Sequence, residues 1–207
     1  MTESRIAELL APFLQGPNLP DDQIRAIQLY LDLLLKWNAR LNLTAIRDPE
    51  EIVTRHFGES FFAARHLFHE AAADQTVIDI GSGAGFPGLP IKILVPSVKL
   101  TLVESNQRKS TFLREVVRTL GMQDVDVLTA RAESLSIRAK LVTIRAVERF
   151  ESILPIACRM IQAGGQLGIL IGSRQVSVAQ SVLPRLKWEK PVPIPNSISR
   201  VLLKGRT

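Results

Sequence analysis

The stretch Asp79-Ile-Gly-Ser-Gly-Ala-Gly-Phe-Pro-Gly88 decides the fold of this chain. It directly follows the β-branched run of residues 76–78, so a short buried strand ends in a turn that is rich in glycine. In an open α/β sheet, ligands bind at such turns, which lie at the carboxyl ends of the strands near the point where the strand order reverses. The segment therefore predicts an α/β fold with a ligand site at its first strand-to-helix turn.

Further apolar runs follow at intervals that leave room for helices. The predicted parallel strands are Thr76–Ile80, Lys99–Val103, Val125–Leu128, Leu141–Ile144 and Gln166–Ile171. The clearest intervening helix covers residues 107–120 and ends at Gly121. This alternation predicts a parallel, doubly wound sheet. Two late runs, at about Trp188–Val192 and Ile198–Lys204, are joined by a Pro-rich connection and predict an antiparallel hairpin at the end of the sheet.

Residues 1–70 show the periodicity of helices instead of strands. Three amphipathic helices are predicted; Asp21 caps the second, and Asp48 caps the third, which we expect to end near His69. These helices offer apolar faces but no second core. We therefore predict an N-terminal helical extension over residues 1–70 and one ligand-binding domain over residues 71–207, not two domains that fold separately.

Composition and charge describe an ordinary globular protein with an excess of positive charge. The 207 residues are 46% hydrophobic and 22% charged, with a net charge of +6 and a pI near 9.9. Most basic residues are Arg, whose forked hydrogen bonds suit phosphate and therefore a nucleic-acid partner. The apolar runs are too short to span a membrane, and a single cysteine, Cys158, excludes a disulfide framework and a Cys-rich zinc site. We expect a cytoplasmic protein, most simply a monomer, with no membrane or metal partner.

Two ligands fit the glycine-rich turn. The segment Gly83-Ala-Gly-Phe-Pro-Gly88 matches the dinucleotide pattern G-x-G-x-x-G, and Glu104 lies about 20 residues later, where such sites place a ribose-binding acid. The same glycines match the first motif of S-adenosylmethionine (SAM) dependent methyltransferases, in which Glu104 would bind the adenosine ribose. An NAD-dependent oxidoreductase and a methyltransferase are thus both open. The long helical segment before the turn and the closing hairpin favour the methyltransferase, whose sheet ends in an antiparallel strand.

Five sequence signatures occur in the order found in one known family. They are Lys36-Trp-Asn-Ala-Arg-Leu-Asn-Leu-Thr44, Arg55-His-x-x-Glu-Ser60, Gly81–Pro90, Arg131-Ala-Glu133 and Ile144-Arg-Ala146. From about residue 20 to Lys204, the chain resembles the RsmG (GidB) family of bacterial SAM-dependent methyltransferases, which act on N7 of a guanine in the 530 loop of 16S ribosomal RNA. The resemblance implies a class I methyltransferase fold with a mostly parallel, seven-stranded sheet and an antiparallel C-terminal strand. It also implies SAM as cofactor and 16S rRNA or the small ribosomal subunit as partner. A non-enzymatic RNA-binding protein on the same fold is a further alternative.

The glycine pattern and the resemblance together indicate which residues form the site. The candidate cofactor-binding residues are Gly81, Gly83, Gly85, Phe86, Glu104, Ala132, Glu133 and Arg145. Within this set, Glu104 matches the ribose-binding acid, and the dipeptide after the third strand matches residues beside the adenine. Arg145, at the end of the fourth strand, matches an arginine at the cofactor and target-base site and is the candidate catalytic residue. The candidate RNA contacts are Arg55, His56, Lys109, Arg174 and Arg200.

The chain departs from the family pattern at two positions. Glu59 stands where the family usually has Asp, which keeps the charge and lengthens the reach. Ile171 precedes Gly172 where the family commonly has lysine, so a role of that lysine does not carry over; Arg174 is the basic residue that could substitute. The signature at residues 55–60 predicts either a functional group or a polar clamp that holds the N-terminal helices over the site.

Overall fold

The structure, a computed structural model, describes residues 1–14, 16–68, 75–147 and 149–207. The α-helices in these residues are α1 (Glu3–Leu14), α2 (Asp21–Leu41), α3 (Pro49–Ile52), α4 (Glu59–Leu67), α5 (Gly88–Leu94), α6 (Gln107–Thr119), α7 (Phe150–Arg159) and α8 (Val176–Val182). The strands are β1 (Thr76–Ile80), β2 (Lys99–Glu104), β3 (Val125–Thr129), β4 (Ala139–Arg145), β5 (Ile161–Gly172), β6 (Lys187–Trp188), β7 (Val192–Pro193) and β8 (Arg200–Arg206). The expected helix end near His69 and the expected domain boundary at residues 70 and 71 lie outside the described residues.

One sheet forms the centre of the fold, with the strand order β3-β2-β1-β4-β5-β8-β6 and β7 paired to β8. Strands β1 to β5 are parallel, and β8 runs antiparallel to β5, with Gly172 opposite Arg200. The order reverses between β1 and β4, so the turns after these two strands flank the crevice in which α/β proteins bind ligands. The predicted fold class, a mostly parallel sheet with an antiparallel C-terminal strand, is confirmed.

The last hairpin differs from its prediction in one detail. The strand expected at Trp188–Val192 consists of two short pieces, β6 and β7, which both pair with β8. Pro191 lies between them and has no N–H to donate to a strand ladder, so the pairing is interrupted there. The sheet therefore has eight strand segments where seven strands were predicted.

The third predicted helix is also interrupted. Asp48 caps its start as expected, because its Oδ1 accepts a hydrogen bond from the N–H of Glu51 at 2.8 Å. Between α3 and α4, however, residues Val53–Gly58 form a π-helical turn. Such turns occur often at functional sites, and this one carries Arg55 and His56. Apolar periodicity does not reveal a single wide turn, so the sequence predicted a continuous helix.

A continuous core joins the N-terminal helices to one face of the sheet. Buried side chains from α1, α2, α3, the π-helical turn and α4 pack in one cluster with sheet residues such as Leu102 and Leu141. Helix α4 packs directly on β5 at Gly168. A Cβ added to this glycine would be only 2.8 Å from the side chain of Leu67, so the close approach requires glycine. Helices α7 and α8 contribute to a second cluster with other residues of the sheet. No helix in the described part of the chain is both long and apolar enough to cross a membrane.

We predict that a fragment beginning at Gln75 aggregates. It would lose α1 to α4 and expose the apolar face that contains Leu102 and Leu141, which are at most 1% exposed in the full chain. An apolar patch of that kind drives association in water. Size-exclusion chromatography of the fragment and of the full chain checks this expectation. A monodisperse fragment with the SAM affinity of the full chain would instead show that residues 1–74 form a dispensable domain.

Candidate active site

Two adjoining cavities open at the carboxyl ends of β1, β2 and β4. The larger cavity has a volume of about 680 Å³ and the smaller cavity about 270 Å³. Gly81, Glu104 and Val147 line both, so the two share a wall. Arg145 lines the larger cavity, and Glu133 lines the smaller one. The structure thus brings most of the predicted cofactor residues together at the point where the strand order reverses.

The loop after β1, residues 81–88 (the glycine loop), requires glycine for its backbone shape. Gly81, Gly83 and Gly85 have φ angles of +68°, +56° and +92°, a region that other residues rarely adopt. Gly81 and Gly83 line the larger cavity, as expected for a backbone that a ligand approaches closely. A Cβ on Gly83 would meet only the Gly81 carbonyl oxygen, at 3.7 Å. The backbone angle, and not crowding by the protein, is therefore what requires glycine at position 83.

Gly85 has a packing role that the sequence did not indicate. It is not part of the lining of either cavity. A Cβ at this position would collide with the hydroxyl of Tyr30 on α2 and with the side chain of Leu89. The space that glycine leaves open is therefore filled by the protein itself. Gly85 therefore allows α2 to pack against the glycine loop, and its contact with the cofactor stays a prediction.

Phe86 lies in an aromatic cluster built by the N-terminal helices. Its ring is parallel to that of Tyr30 at a centroid distance of 5.4 Å, stacks on His56 at 4.8 Å and meets the edge of Phe57 at 5.1 Å. The Tyr30 hydroxyl also donates a hydrogen bond to the carbonyl oxygen of Ala84. Phe86 lines the larger cavity but is only 7% exposed, so most of its ring packs against protein. Its main effect is to fix the shape of the glycine loop.

Glu104 connects the glycine loop to the helix after β2. Its Oε2 accepts a hydrogen bond from the N–H of Gly83 at 2.9 Å, and its Oε1 accepts one from the N–H of Asn106 at 2.8 Å. Each carboxylate oxygen can accept a second hydrogen bond. Because Glu104 lines both cavities, it can hold the loop and still accept hydrogen bonds from two neighbouring hydroxyl groups of a ligand.

The smaller cavity is lined by both apolar and charged side chains. Ala132 and Glu133 lie in the 3-10 turn Ala132–Ser134 that follows β3, where Ala132 is buried and Glu133 is exposed. The apolar lining comes from Ile80, Val103, Ala132, Val147 and Ile153. A cavity with apolar side chains, a carboxylate at its edge and Glu104 on its shared wall suits a purine ring attached to a ribose.

A buried carboxylate, Glu59, gathers three arginines beside the larger cavity; we call this group the Glu59 cluster. Glu59 is 1% exposed, and its oxygens lie 2.6 Å from Nε of Arg200, 3.3 Å from Nη2 of Arg145 and 3.9 Å from Nε of Arg55. Nη2 of Arg145 also donates to the carbonyl oxygen of Arg55 at 2.6 Å. The clamp between the N-terminal helices and the sheet is therefore present. Arg55 also pairs with Glu51 at 3.2 Å, so three guanidinium groups meet two carboxylates and one positive charge remains in excess.

The family of the chain follows from comparison with known proteins. A family model described as rRNA small subunit methyltransferase G (GidB) matches residues 23–181. The chain belongs to this family. The Ribosomal RNA small subunit methyltransferase G of Chloroflexus aggregans (strain MD-66 / DSM 9485) is 38% identical over 201 residues, covering 91% of this chain and 83% of that protein. The protein of the same name from Roseiflexus sp. (strain RS-1) is 38% identical, with coverages of 91% and 85%.

A solved structure of low sequence identity supports the fold. The crystal structure of a SAM dependent methyltransferase from Aquifex aeolicus superposes with a TM-score of 0.62 at 15% identity, covering 80% of this chain and 96% of that chain. The predicted resemblance to the RsmG family is thus confirmed by sequence, and the predicted methyltransferase fold by structure.

His56, which is a candidate RNA contact, lines the larger cavity and is bound to a neighbouring side chain. Its Nε2 lies 2.7 Å from the hydroxyl of Thr44. Burial, together with the positive charges of the nearby arginines, lowers the pKa of His56 to about 2. The ring is therefore neutral and cannot attract phosphate as a cation; because it lines the larger cavity, a contact of the neutral ring with RNA stays a prediction. The side-chain amide of Asn38 holds the backbone of Thr44: its Nδ2 donates to the Thr44 carbonyl oxygen at 3.0 Å, and its Oδ1 accepts from the Thr44 N–H at 2.9 Å. This explains why the Trp-Asn signature belongs to the site.

We predict that His56 makes the protein sensitive to acid. Its pKa is about 2 in the folded protein, against an ordinary value of 6.5 for the unfolded chain, so between these values the unfolded chain binds more protons. The free energy of unfolding therefore falls as the pH decreases through 6.5, by about 2 kcal/mol between pH 7 and pH 5. Urea unfolding at both pH values should show this loss for the wild type and a smaller loss for His56→Gln. Equal losses in the two proteins would contradict the assignment.

The remaining candidates divide between the cavity and the surface. Lys109, in the first turn of α6, lines the larger cavity. Arg174 lines neither cavity; it is exposed in the 3-10 turn that follows β5. Ile171 is 6% exposed and packs in the core, so its side chain is not available to RNA. The described residues contain no group of three or more His, Cys, Asp or Glu side chains placed to hold a metal ion.

Two residues of the site were not singled out from the sequence. Tyr30 looked like one more apolar position of an amphipathic helix, although its hydroxyl reaches the glycine loop. Ala146 lines the larger cavity and has a φ of +49°, a strained conformation for a residue with a side chain. The only sequence signal for Ala146 was its place in the signature Ile144-Arg-Ala146. That signature marked the turn after β4 but did not indicate its backbone conformation.

Proposed function

We propose that this protein transfers the methyl group of SAM to N7 of a guanine in the 530 loop of 16S rRNA. Membership of the rRNA small subunit methyltransferase G family supports the cofactor and the class of RNA. The observation that carries the proposal is the placement of the glycine loop, Glu104 and Arg145 around one cavity where the strand order reverses. Among the described residues, these offer a backbone that the cofactor can approach, a carboxylate for the ribose and a planar cation for the acceptor base.

The residues of the two cavities fit SAM. The smaller cavity, beside Ala132 and Glu133, would hold the adenine, and Glu104 on the shared wall would accept hydrogen bonds from the ribose hydroxyls. The backbone of Gly81 and Gly83 would face the methionine part in the larger cavity. SAM supplies an electrophilic methyl group when it is bound.

The protein then has to align the acceptor and exclude water rather than move a proton. N7 of guanine has a free electron pair at neutral pH, so no base is needed to activate it. This agrees with the state of the nearby groups: His56 is neutral and bound to Thr44. Asp79 is buried below the glycine loop, where it accepts hydrogen bonds from Thr143 at 2.7 Å and from the N–H of Gly88 at 3.3 Å. Holding two reactants in line supplies up to about 7–11 kcal/mol of a barrier in ideal cases.

Arg145 is the group we assign to the acceptor. It lies at the end of β4, lines the larger cavity and is held by Glu59 and by the Arg55 carbonyl oxygen. Its planar guanidinium suits guanine O6, a flanking phosphate or the carboxylate of SAM. It cannot stay bound to N7 itself, because the same electron pair receives the methyl group. Lys109, Arg55 and Arg200 lie around it and are the proposed contacts to the RNA backbone.

Methyl transfer to 16S rRNA tests this proposal directly. The full chain is incubated with labelled SAM and small ribosomal subunits or 16S rRNA that lack the modification, and N7-methylguanine is mapped by chemical cleavage. We expect one modified guanine, in the 530 loop. A thermal-shift comparison separates the oxidoreductase alternative, because SAM should raise the melting temperature and NAD should not. Binding of SAM and rRNA without any transfer would favour a non-enzymatic RNA-binding protein.

A further inference from the structure

The hairpin between β7 and β8 presents an apolar side chain to solvent. Ile198 is fully exposed in the turn of residues 195–199, which we call the hairpin tip. Turns favour Gly, Asn, Asp, Ser and Pro, and this turn contains Pro195, Asn196 and Ser197 as expected. Single exposed apolar residues are common and do not by themselves indicate a binding site. Ile198 differs because hydrogen bonds hold its turn in place and because this turn lies at the edge of the sheet that carries the cavities.

Hydrogen bonds fix the hairpin tip on the body of the protein. The N–H of Ser173 donates to the carbonyl oxygen of Ser199 at 2.6 Å, and the N–H of Arg200 donates to the hydroxyl of Ser197 at 3.0 Å. Across the base of the hairpin, the N–H of Ile194 donates to the carbonyl oxygen of Arg200 at 3.1 Å. Ile198 is thus presented by an ordered turn, so binding a partner there costs little backbone entropy.

The hairpin tip lies on the same edge of the sheet as the cavities. Because β8 is antiparallel to β5, its first residue, Arg200, is opposite Gly172 at the carboxyl end of β5. Arg200 contacts Glu59 at 2.6 Å and so joins the cluster that holds Arg145. Arg174 is exposed in the next turn of the chain after β5. The turn that carries Arg174 is bonded to the hairpin tip through Ser173 and Ser199, whereas the guanidinium of Arg200 is already paired with Glu59.

We propose that the hairpin tip is an RNA-docking element in which Ile198 packs on the face of an unstacked base and Arg174 binds a backbone phosphate. The inference rests on the proposed function and names the part of the chain that receives the RNA outside the cavity. The exposed Arg174 in the turn bonded to the hairpin tip, together with the arginines of the Glu59 cluster near the same edge of the sheet, favours RNA as the partner. A guanine must leave its stack to enter a cavity, and apolar side chains such as Ile hold neighbouring bases apart when nucleic acids are opened.

Truncation of the exposed side chain tests the proposal without disturbing the fold. In the full-length protein, Ile198→Ala should raise the KM for 16S rRNA by about five- to tenfold. SAM affinity by calorimetry and the melting temperature should stay at the wild-type values. The matched control is Leu29→Ala, which removes another exposed apolar side chain, on α2 (49% exposed), and should leave the KM unchanged. Equal KM values for the two variants would overturn the proposal.

Two further measurements distinguish the chemistry of the contact. A 2-aminopurine placed next to the target guanine should gain fluorescence on binding the wild type and less on binding Ile198→Ala, because its unstacking depends on the side chain. Arg174→Ala should reduce the slope of log affinity against log salt by about 1, whereas Ile198→Ala should not change it.

An effect of Ile198→Ala on assembled subunits alone, and not on naked rRNA, would indicate a protein contact and overturn the RNA assignment. Failure of the wild type to methylate rRNA would instead refute the proposed function.

Discussion

Replacing Arg145 with Ala is expected to lower the rate of methyl transfer to 16S rRNA at least about tenfold, the equivalent of about 1.4 kcal/mol or more. The fold should survive, because Glu59 keeps its contact with Arg200 at 2.6 Å and so does not become an unpaired buried charge. The overall RNA affinity should also change little, because Lys109, Arg55 and Arg200 remain. Single-turnover methylation with saturating SAM measures the rate, and the melting temperature checks the fold.

The lysine variant tests why an arginine is needed at this position. Arg145 donates to both Glu59 and the Arg55 carbonyl oxygen, and a single ammonium cannot keep these contacts while it reaches a planar acceptor. We therefore expect Arg145→Lys to recover little of the lost rate. Lys140→Ala, on the same strand but away from its carboxyl end, is the matched control and should methylate normally. A turnover near the wild-type value for Arg145→Lys would mean that only a positive charge is required.

Replacing Glu104 with Ala should weaken SAM binding about ten- to a hundredfold. A hydrogen bond to a charged acceptor is worth roughly 1.5–3 kcal/mol, and the proposed ribose contact depends on this carboxylate. The variant also loses the acceptors of the Gly83 and Asn106 N–H groups, so the glycine loop loses support at the same time. Calorimetric titration with SAM measures the effect.

Graded variants separate the ribose contact from the support of the loop. Glu104→Gln keeps one oxygen acceptor and should fall between Ala and the wild type. Glu133→Gln, at the exposed edge of the smaller cavity, should change SAM affinity much less. If Glu104→Ala folds normally and binds SAM like the wild type, the ribose assignment is incorrect.

The fold could be predicted because its signals are local. Each parallel strand is a short apolar run, each helix has its own periodicity, and the glycine loop marks the turn at which the site lies. The Glu59 cluster could not be predicted in this way. Its partners Arg145 and Arg200 are 86 and 141 residues away in the chain, and no spacing rule relates positions so far apart. The resemblance identified most of the residues, but only the packing shows how they contact one another.

Gly85 and His56 show why a residue type alone does not determine a role. A glycine at a turn leaves room either for a ligand or for another part of the protein, and at Gly85 the neighbour is Tyr30. A histidine carries a charge in mildly acidic water but loses it when it is partly desolvated beside arginines, as His56 is. Both outcomes depend on what the N-terminal helices bring to the loop, and that is a long-range property of the fold.

The packing of Tyr30 and His56 on Phe86 has a consequence for genetics. The shape of the glycine loop depends on Tyr30 from α2 and His56 from the π-helical turn. These residues lie 56 and 30 positions before Phe86 in the chain. An allele can therefore abolish methylation without altering any atom that touches a substrate. A saturation screen for inactive alleles should yield a group at Tyr30 and Gly85, whose products recover activity at lower temperature, whereas alleles at the cavity wall do not.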